Sequence, residues 1–304
     1  MIHVFEVGPR DGLQNEKHLL SLDDKVWFIE SLVAAGIRGL ETGAFVRSDK
    51  VPQMADSDLL PEKLGHITNA DFYYLVPNLK GLQRAISKGI KNIAVFSAVS
   101  DSFNHNNIGM TVDESFLVIK ELVTEAKAQK MKVRGYVSTV WGCPFEGRVS
   151  AGQALPVIER MLALPIDQVS LGDTIGVAAP TGVEAILKPL LAAHDLKRLA
   201  VHFHDTRGTA LANALRSFEL GITTFDASAG GLGGCNFAPG ATGNLATEDL
   251  VYFFKEMGVD TGINYRKLCE TSIELARRMG GRHLPSHALK AYQSNCAVNN
   301  AWDT

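Results

Sequence analysis

Short apolar runs alternate with segments of helical periodicity along most of the chain. Eight runs have the length and composition of buried strands, and each is followed by a segment in which apolar residues recur every three or four positions. The predicted strands cover residues 3–7, 39–42, 72–76, 92–96, 132–137, 168–171, 200–204 and 223–226. This regular alternation of strands and helices indicates an α/β fold with a parallel sheet.

The predicted helices carry recognisable ends. The first is expected to begin near Ser21 and to end at Gly36, where a glycine adopts the left-handed capping conformation. In the fourth, Thr111 and Glu114 have the spacing of a capping box. The apolar residues that follow share one face of this helix: Phe116, Ile119, Leu122, Val123 and Ala126.

Eight strand-then-helix units without an intervening linker favour a single closed (β/α)8 barrel, a TIM barrel, over a doubly wound open sheet. We expect one catalytic domain over residues 1–304, with the barrel over about 1–258. Two further helices are predicted over 247–257 and 265–279, followed by a polar tail. Residues from about 259 to 304 would then form a C-terminal helical extension.

Composition and charge exclude several classes of protein for this chain. The formal net charge is −3, whereas a nucleic-acid-binding domain is normally basic. No apolar run approaches the ~20 residues of a membrane span. The four cysteines are too few and too far apart for a disulfide framework, so they are expected to be reduced thiols. With no targeting segment evident, a cytoplasmic location is expected.

A metal site is predicted at the end of the seventh strand. Side chains alternate along a strand, so His202 and His204 point the same way. An isolated pair of this kind is as often structural as metal-binding, but two further candidate ligands follow other strands: Asp11 after the first, and Asn244 after the eighth. In a TIM barrel these strand ends build the active site. Two nitrogen and two oxygen ligands suit Mg²⁺ or Mn²⁺.

The loop over residues 230–244 contains six glycines but lacks the nucleotide-binding signatures. Asn236 stands where the dinucleotide fingerprint requires a third glycine, and no Lys-Ser/Thr pair ends the loop. This composition favours a mobile lid. Cys235 within it is a candidate acid, base or nucleophile, although a free cysteine more often serves as a small buried apolar residue.

Several segments carry a family resemblance. They read EVGPRDGLQNEK at 6–17, VRGYVS at 133–138, GCPFEG at 142–147, SLGDTIG at 170–176, VHFHDTRGTALAN at 201–213 and GGLGGCNFAPGATGNLATEDLVY at 230–252. Together they resemble the hydroxymethylglutaryl-CoA lyases, a family of metal-dependent TIM-barrel lyases. The resemblance spans essentially the whole chain, and the cysteine-bearing loop is its most specific part.

The resemblance implies cleavage of 3-hydroxy-3-methylglutaryl-CoA, or a close 3-substituted analogue, to acetyl-CoA and acetoacetate or the matching 3-oxo acid. It also implies an acyl-CoA partner, a homodimer, and a place in leucine degradation and ketone-body formation. The family's metal ligands match the four residues predicted above: Asp11, His202, His204 and Asn244.

The resemblance further assigns four catalytic residues. Arg10 matches the arginine that stabilises the thioester enolate, and Cys235 matches the thiol that protonates it. Glu41 and Asp173 match polar residues at the ends of the second and sixth strands, just past which they are expected to lie. The base that removes the hydroxyl proton would be Asp11, Asp173 or one of the two histidines.

The chain departs from the family pattern in two places. The family reads Pro-Tyr after its cysteine, whereas Asn236 and Phe237 follow Cys235 here, which predicts a looser lid because proline restricts φ. After the second strand the family reads close to Ser-Phe-Val-Ser-Pro-Lys. This chain loses a hydroxyl at Ala44 and gains a cation at Arg47, changes that bear on the acyl group recognised.

Three other interpretations remain. The same superfamily includes acetyl-CoA-dependent condensing enzymes and aldolases, and a catalytically silent barrel could bind metal or acyl-CoA. Condensing enzymes lack the cysteine loop and often add a regulatory C-terminal domain, for which this chain has no room. The joint presence of Arg10, Cys235 and the four candidate ligands favours an active lyase.

Overall fold

A computed structural model describes residues 1–234 and 243–298. The strands of its main sheet are β1 (His3–Glu6), β2 (Gly39–Ala44), β3 (Asp71–Leu75), β4 (Asn92–Ala98), β5 (Lys132–Ser138), β8 (Gln168–Asp173), β9 (Leu199–Phe203) and β10 (Thr224–Ala227). They pair in parallel and close into a barrel in the order β1-β10-β9-β8-β5-β4-β3-β2. A short antiparallel hairpin, β6 (Gly142–Cys143) and β7 (Gly147–Arg148), follows β5. The predicted TIM barrel is confirmed.

Helices surround the barrel and extend it at the C-terminal end. They are α1 (Leu22–Ala35), α2 (Leu60–Leu64), α3 (Leu79–Ser87), α4 (Asp101–Ile108), α5 (Val112–Ala128), α6 (Ala151–Leu162), α7 (Pro180–Ala193), α8 (Ala210–Glu219), α9 (Thr247–Glu256), α10 (Tyr265–Arg278) and α11 (His287–Val298). The predicted caps are present: the Ser21 side chain accepts from Asp24 N, Gly36 has φ +114°, and Thr111 forms its capping box with Glu114. None of the helices within the described ranges has the length and apolar character needed to cross a bilayer.

The stretch after residue 279, expected to be a polar tail at the end of the C-terminal helical extension, contains the helix α11. Its sequence lacks a strong apolar stripe, and its stability depends on contacts from elsewhere in the chain. Asp249 on α9 accepts hydrogen bonds from Ser286 Oγ (2.6 Å) and Ala288 N (2.7 Å), which caps the start of α11. Leu289 and Tyr292 are buried on its inner side.

An ion pair crosses the interior of the barrel. Arg134 on β5 donates two hydrogen bonds to Asp226 on β10, at 3.0 and 2.5 Å, and both residues are almost completely buried. The Arg134 guanidinium also lies 4.0 Å from the centre of the Phe5 ring. The barrel is therefore filled by a polar layer beneath its carboxyl-terminal face, as well as by apolar side chains.

Candidate active site

A buried π-helical turn carries two of the predicted site residues over the end of β1. The turn covers Gly8–Gly12 and has Pro9 at its start, where a backbone N–H is not needed. Hydrogen bonds from Gly12 N to Val7 O (3.1 Å) and from Leu13 N to Gly8 O (3.0 Å) close it. Arg10 and Asp11 are thereby held next to each other at the mouth of the barrel.

Three of the four predicted metal ligands converge at this face. Each of Asp11, His202 and His204 offers a ligand atom, and these atoms all lie within 4.8 Å of one another. The two imidazole rings are on the same side of the β9 end, with centroids 5.3 Å apart. Since β10 lies between β1 and β9, Asp11 reaches the histidine pair across a single strand.

The fourth predicted ligand is placed by a backbone ladder. The chain returning from the glycine-rich loop re-enters between the ends of β9 and β10, where Leu245 N donates to Phe203 O (2.9 Å) and Ser228 N donates to Leu245 O (3.0 Å). Asn244 consequently lies opposite His204 in an isolated bridge. The position of Asn244 is therefore fixed by the same kind of bonds that hold the strands.

The side chain of Asn244 contacts the cluster through its amide nitrogen. Its Nδ2 donates to Asp11 Oδ2 (2.9 Å) and to Leu232 O (2.9 Å), which leaves Oδ1 for another partner. Gly233, at φ +99°, passes close behind, and a Cβ there would lie 2.6 Å from Asn244 Nδ2. Only glycine permits both the backbone conformation and this approach.

The site fits a divalent cation. Asn244 Oδ1 and His204 Nδ1 are buried, and neither finds a hydrogen-bond partner in the described part of the chain; buried polar atoms rarely stay unsatisfied. Burial lowers the pKa of His204 to about 4, which keeps the ring neutral, as a metal ligand must be. Burial opposes the charge of Asp11, but Arg10 and the histidines lower its pKa, so it stays ionised.

Arg10 is fixed by carboxylates on two sides. Its Nε donates to Glu41 Oε2 at 2.6 Å, and its Nη1 donates to Asp11 Oδ1 at 2.8 Å. Although burial opposes the charge, these carboxylates raise the pKa of Arg10. Glu41 is fully buried inside β2 at an irregularity in its pairing with β3, so the expectation that it lies past the strand end was wrong.

Of the other two predicted catalytic residues, Asp173 and Cys235, the structure describes only Asp173. Asp173 is the last residue of β8, and its two oxygens accept from Val177 N (2.9 Å) and Ala178 N (3.0 Å). It therefore anchors the loop before α7, and burial raises its pKa to about 6. Its catalytic role stays a prediction. Cys235 lies outside the described residues, together with Asn236 and Phe237.

Two buried glutamates hold the base of the glycine-rich loop, and sequence reasoning missed both. Glu6 on β1 accepts hydrogen bonds from Gly8 N (2.7 Å), Ala229 N (2.9 Å) and Thr247 Oγ1 (2.7 Å). Glu248 at the start of α9 accepts from Gly230 N at 2.8 Å and from Ser272 Oγ on α10. The two carboxylates link the turn after β1, both ends of the loop, and the C-terminal helices.

The burial of Glu248 predicts a pH dependence of stability. Burial raises the pKa of Glu248 to about 8, well above the 4.5 of an exposed glutamate. The folded protein then keeps a proton that the unfolded chain releases, so this residue should lower the free energy of unfolding as pH rises from 4.5 to about 8. The full effect of a shift this large is on the order of 3–5 kcal/mol.

Urea unfolding near pH 6 and near pH 9 measures this effect. Glu248→Gln cannot titrate, so its unfolding free energy should fall less between the two pH values than that of the unmodified protein. Glu219→Gln, which alters an exposed carboxylate, is the matched control and should keep the original pH dependence. Equal pH dependence in all three proteins would contradict the prediction.

A cleft of about 730 Å³ opens over the candidate metal cluster of Asp11, His202 and His204. Arg10, Asp11 and both histidines lie along it, and Tyr136 contributes to the same wall. Four cations line the cleft as well, and we call them the cationic rim: Arg47, Lys50, Lys80 and Arg84. The cleft thus joins a reactive centre to a positively charged surface that suits an anionic substrate.

The closed barrel, the oxygen- and nitrogen-rich cluster at its carboxyl-terminal face and the adjoining cleft define a TIM-barrel enzyme with a candidate metal centre. The family model described as HMGL-like matches residues 1–274. The chain belongs to the HMGL-like family and is an oxo-acid lyase.

Relatives cover nearly the whole chain. A hydroxymethylglutaryl-CoA lyase of Bacillus subtilis is 40% identical over 97% of this chain and 98% of that protein. The human mitochondrial hydroxymethylglutaryl-CoA lyase is 41% identical over 88% of this chain and 83% of that protein. The crystal structure of hydroxymethylglutaryl-CoA lyase from Pseudomonas aeruginosa has a TM-score of 0.93 at 38% identity, covering 97% of this chain and 98% of that chain.

One solved relative contains ligands. It is an HMG-CoA lyase from Acinetobacter baumannii in complex with coenzyme A and 3-methylmalate. Its TM-score is 0.89 at 37% identity, and the match covers 96% of this chain and 95% of that chain.

Proposed function

We propose that this chain cleaves 3-hydroxy-3-methylglutaryl-CoA into acetyl-CoA and acetoacetate. The observation that carries the proposal is the placement of Arg10 beside the cluster of Asp11, His202 and His204, at the inner end of the cleft. The names of the relatives support the same activity, since they are hydroxymethylglutaryl-CoA lyases at about 40% identity.

The reaction is a retro-Claisen cleavage. The C3 hydroxyl loses its proton, the C2–C3 bond breaks with its electron pair passing to the thioester enolate, and C2 then gains a proton. A divalent cation held by the four ligands would supply Lewis acidity towards the substrate oxygens. Arg10 stabilises the enolate charge, and its attachment to Glu41 and Asp11 orients it before the substrate arrives.

Cys235 is proposed as the acid that protonates C2, on the strength of the family resemblance. Cys235→Ser should keep the fold and cation binding but lose activity by ~10²–10⁴-fold, because a hydroxyl is a much weaker acid than a thiol. Steady-state turnover measures this loss. Cys143→Ser, in the hairpin between β5 and β8, is the control and should retain activity. Near-normal turnover of Cys235→Ser would show that the thiol is dispensable.

The substrate is proposed to be an acyl-CoA thioester. The cationic rim supports this because the nucleotide part of coenzyme A carries several phosphate charges. A coupled assay of acetyl-CoA release from thioesters with different C3 substituents tests the assignment, and the methyl compound should react fastest. Release only from longer-chain analogues would identify a different lyase, and condensation of acetyl-CoA with a 2-oxo acid would favour the alternative class.

The metal is proposed to be Mg²⁺ or Mn²⁺, because carboxylate and amide oxygens contribute to the ligand set. Chelation should abolish acetyl-CoA release, and either ion should restore it. Full activity of the chelated protein would exclude the metal role.

A cytoplasmic location is proposed because no targeting segment is evident, and a homodimer is proposed from the family resemblance. Light scattering of the purified protein tests the dimer.

A further inference from the structure

A carboxylate lies directly behind one of the proposed metal ligands. Asp226 on β10 is the register partner of His202 on β9, and its Oδ2 lies 3.3 Å from His202 Nδ1. Asp226 is 2% exposed and is not among the residues that line the cleft. It therefore contacts the metal cluster only through the side of the imidazole that faces the barrel interior.

Asp226 is held rigidly by donors from other strands. Arg134 on β5 binds both of its oxygens, and Ser170 Oγ on β8 donates to Oδ2 at 2.8 Å. Arg134 is itself fixed, since its Nε donates to Gln168 Oε1 at 3.1 Å and its guanidinium stacks on Phe5. Four strands of the barrel thus determine where this carboxylate lies and keep it from turning away.

A carboxylate at one nitrogen of a histidine determines what the other nitrogen can do. An ionised carboxylate only accepts hydrogen bonds, so a neutral His202 facing Asp226 must carry its proton on Nδ1. Its Nε2 is then an unprotonated lone pair, which is the form that binds a cation. His204 differs, because its Nδ1 has no partner in the described chain and no carboxylate behind it.

We propose that Asp226 is the positioning residue of the metal centre, which sets the tautomer and the ring orientation of His202, and that Arg134 holds Asp226 in place. This inference rests on the proposed function in taking His202 as a metal ligand. Carboxylates in this position typically change metal affinity by ~10–100-fold when removed. Neither Asp226 nor Arg134 touches the cleft, so their effect on the reaction is indirect.

The tautomer is measured first, in the unmodified, metal-free protein. Nitrogen-15 NMR of the histidine rings, on the alkaline side of the His202 titration, distinguishes Nδ1–H from Nε2–H, and His202→Ala assigns the signal. The expected result is protonation at Nδ1. A signal from the Nε2–H form would overturn the proposal. This measurement uses neither metal nor thioester. Its result therefore does not depend on whether the chain cleaves the proposed substrate.

Metal affinity is measured second, with Mn²⁺ detected by the electron paramagnetic resonance of the free ion. Asp226→Asn should weaken binding ~10–100-fold, and excess Mn²⁺ should restore part of the lost activity. Ser170→Ala is the matched control, because it removes one contact of Asp226 and leaves the contact with His202 in place. Its Mn²⁺ affinity should change less than about threefold. A folded Asp226→Asn protein with unchanged affinity would overturn the proposal.

Asp226→Asn leaves Arg134 with an unpaired buried charge and could unfold the chain. In that event Arg134→Met combined with Asp226→Asn removes both charges of the pair. The double variant should also lose the Nδ1–H signal and bind Mn²⁺ weakly. Retention of full Mn²⁺ affinity in the folded double variant would overturn the proposal equally.

Discussion

Arg10→Met is expected to lower kcat by ~10²–10³-fold, the usual effect of removing one preorganised group that stabilises developing charge. Arg10 lies beside Asp11 but offers no atom that binds a cation, so Mn²⁺ affinity should change far less than turnover. Because enolate charge develops only as the C2–C3 bond breaks, kcat and kcat/KM should fall together. Steady-state kinetics and Mn²⁺ titration measure the two effects separately.

Arg47→Met is the control for this experiment. Arg47 is also a cation of the cleft, but it is highly exposed and pairs with Asp49 on the rim. Its loss should raise KM modestly and leave kcat nearly unchanged, since an exposed charge is screened by solvent. If Arg10→Met changed KM alone, Arg10 would be a substrate anchor, and the role proposed for it would be wrong.

His204→Ala is expected to abolish cation binding and turnover together. Loss of a ligand should abolish cation binding at ordinary concentrations, and Lewis-acid stabilisation of several kcal/mol corresponds to a rate loss on the order of 10³-fold or more. Among the described residues, the group that could hold a metal ion offers one other imidazole near His204, that of His202, which is itself a proposed ligand. Turnover and Mn²⁺ binding should therefore fall in parallel.

His66→Ala serves as the matched control, because His66 is an exposed histidine paired with Glu30 on the outside of the barrel. The His66→Ala protein should keep both its turnover and its Mn²⁺ binding. Retained turnover in a His204→Ala protein that no longer binds Mn²⁺ would separate the metal from the reaction and contradict the proposed mechanism.

The parts of the structure that were predicted from sequence depend on local patterns. Short apolar runs predicted the barrel strands, and period-3.6 spacing predicted their helices. Alternation along β9 predicted that His202 and His204 share a side. Their proximity to Asp11 followed from the rule that parallel strands end at one face of a barrel.

The parts that were missed depend on contacts between distant residues. Nothing next to Asp226 in the sequence indicates Arg134, which lies 92 positions earlier and contacts it only once the barrel has closed. The one available signal is that each is an ionised residue inside an apolar strand, where a buried charge requires a partner. Similarly, the start of α11 is capped by Asp249, which lies on α9. The pattern within residues 287–298 alone therefore does not predict this helix.

Chimaeras that exchange residues 235–242 with the corresponding segment of a relative should keep Asn244, a proposed metal ligand, in position. Asn244 is held from both sides by the backbone bonds of Leu245 to Phe203 and Ser228, and none of these bonds involves the exchanged segment. The two junctions therefore offer protein engineers a crossover point at which the bonds that hold Asn244 lie outside the exchanged segment.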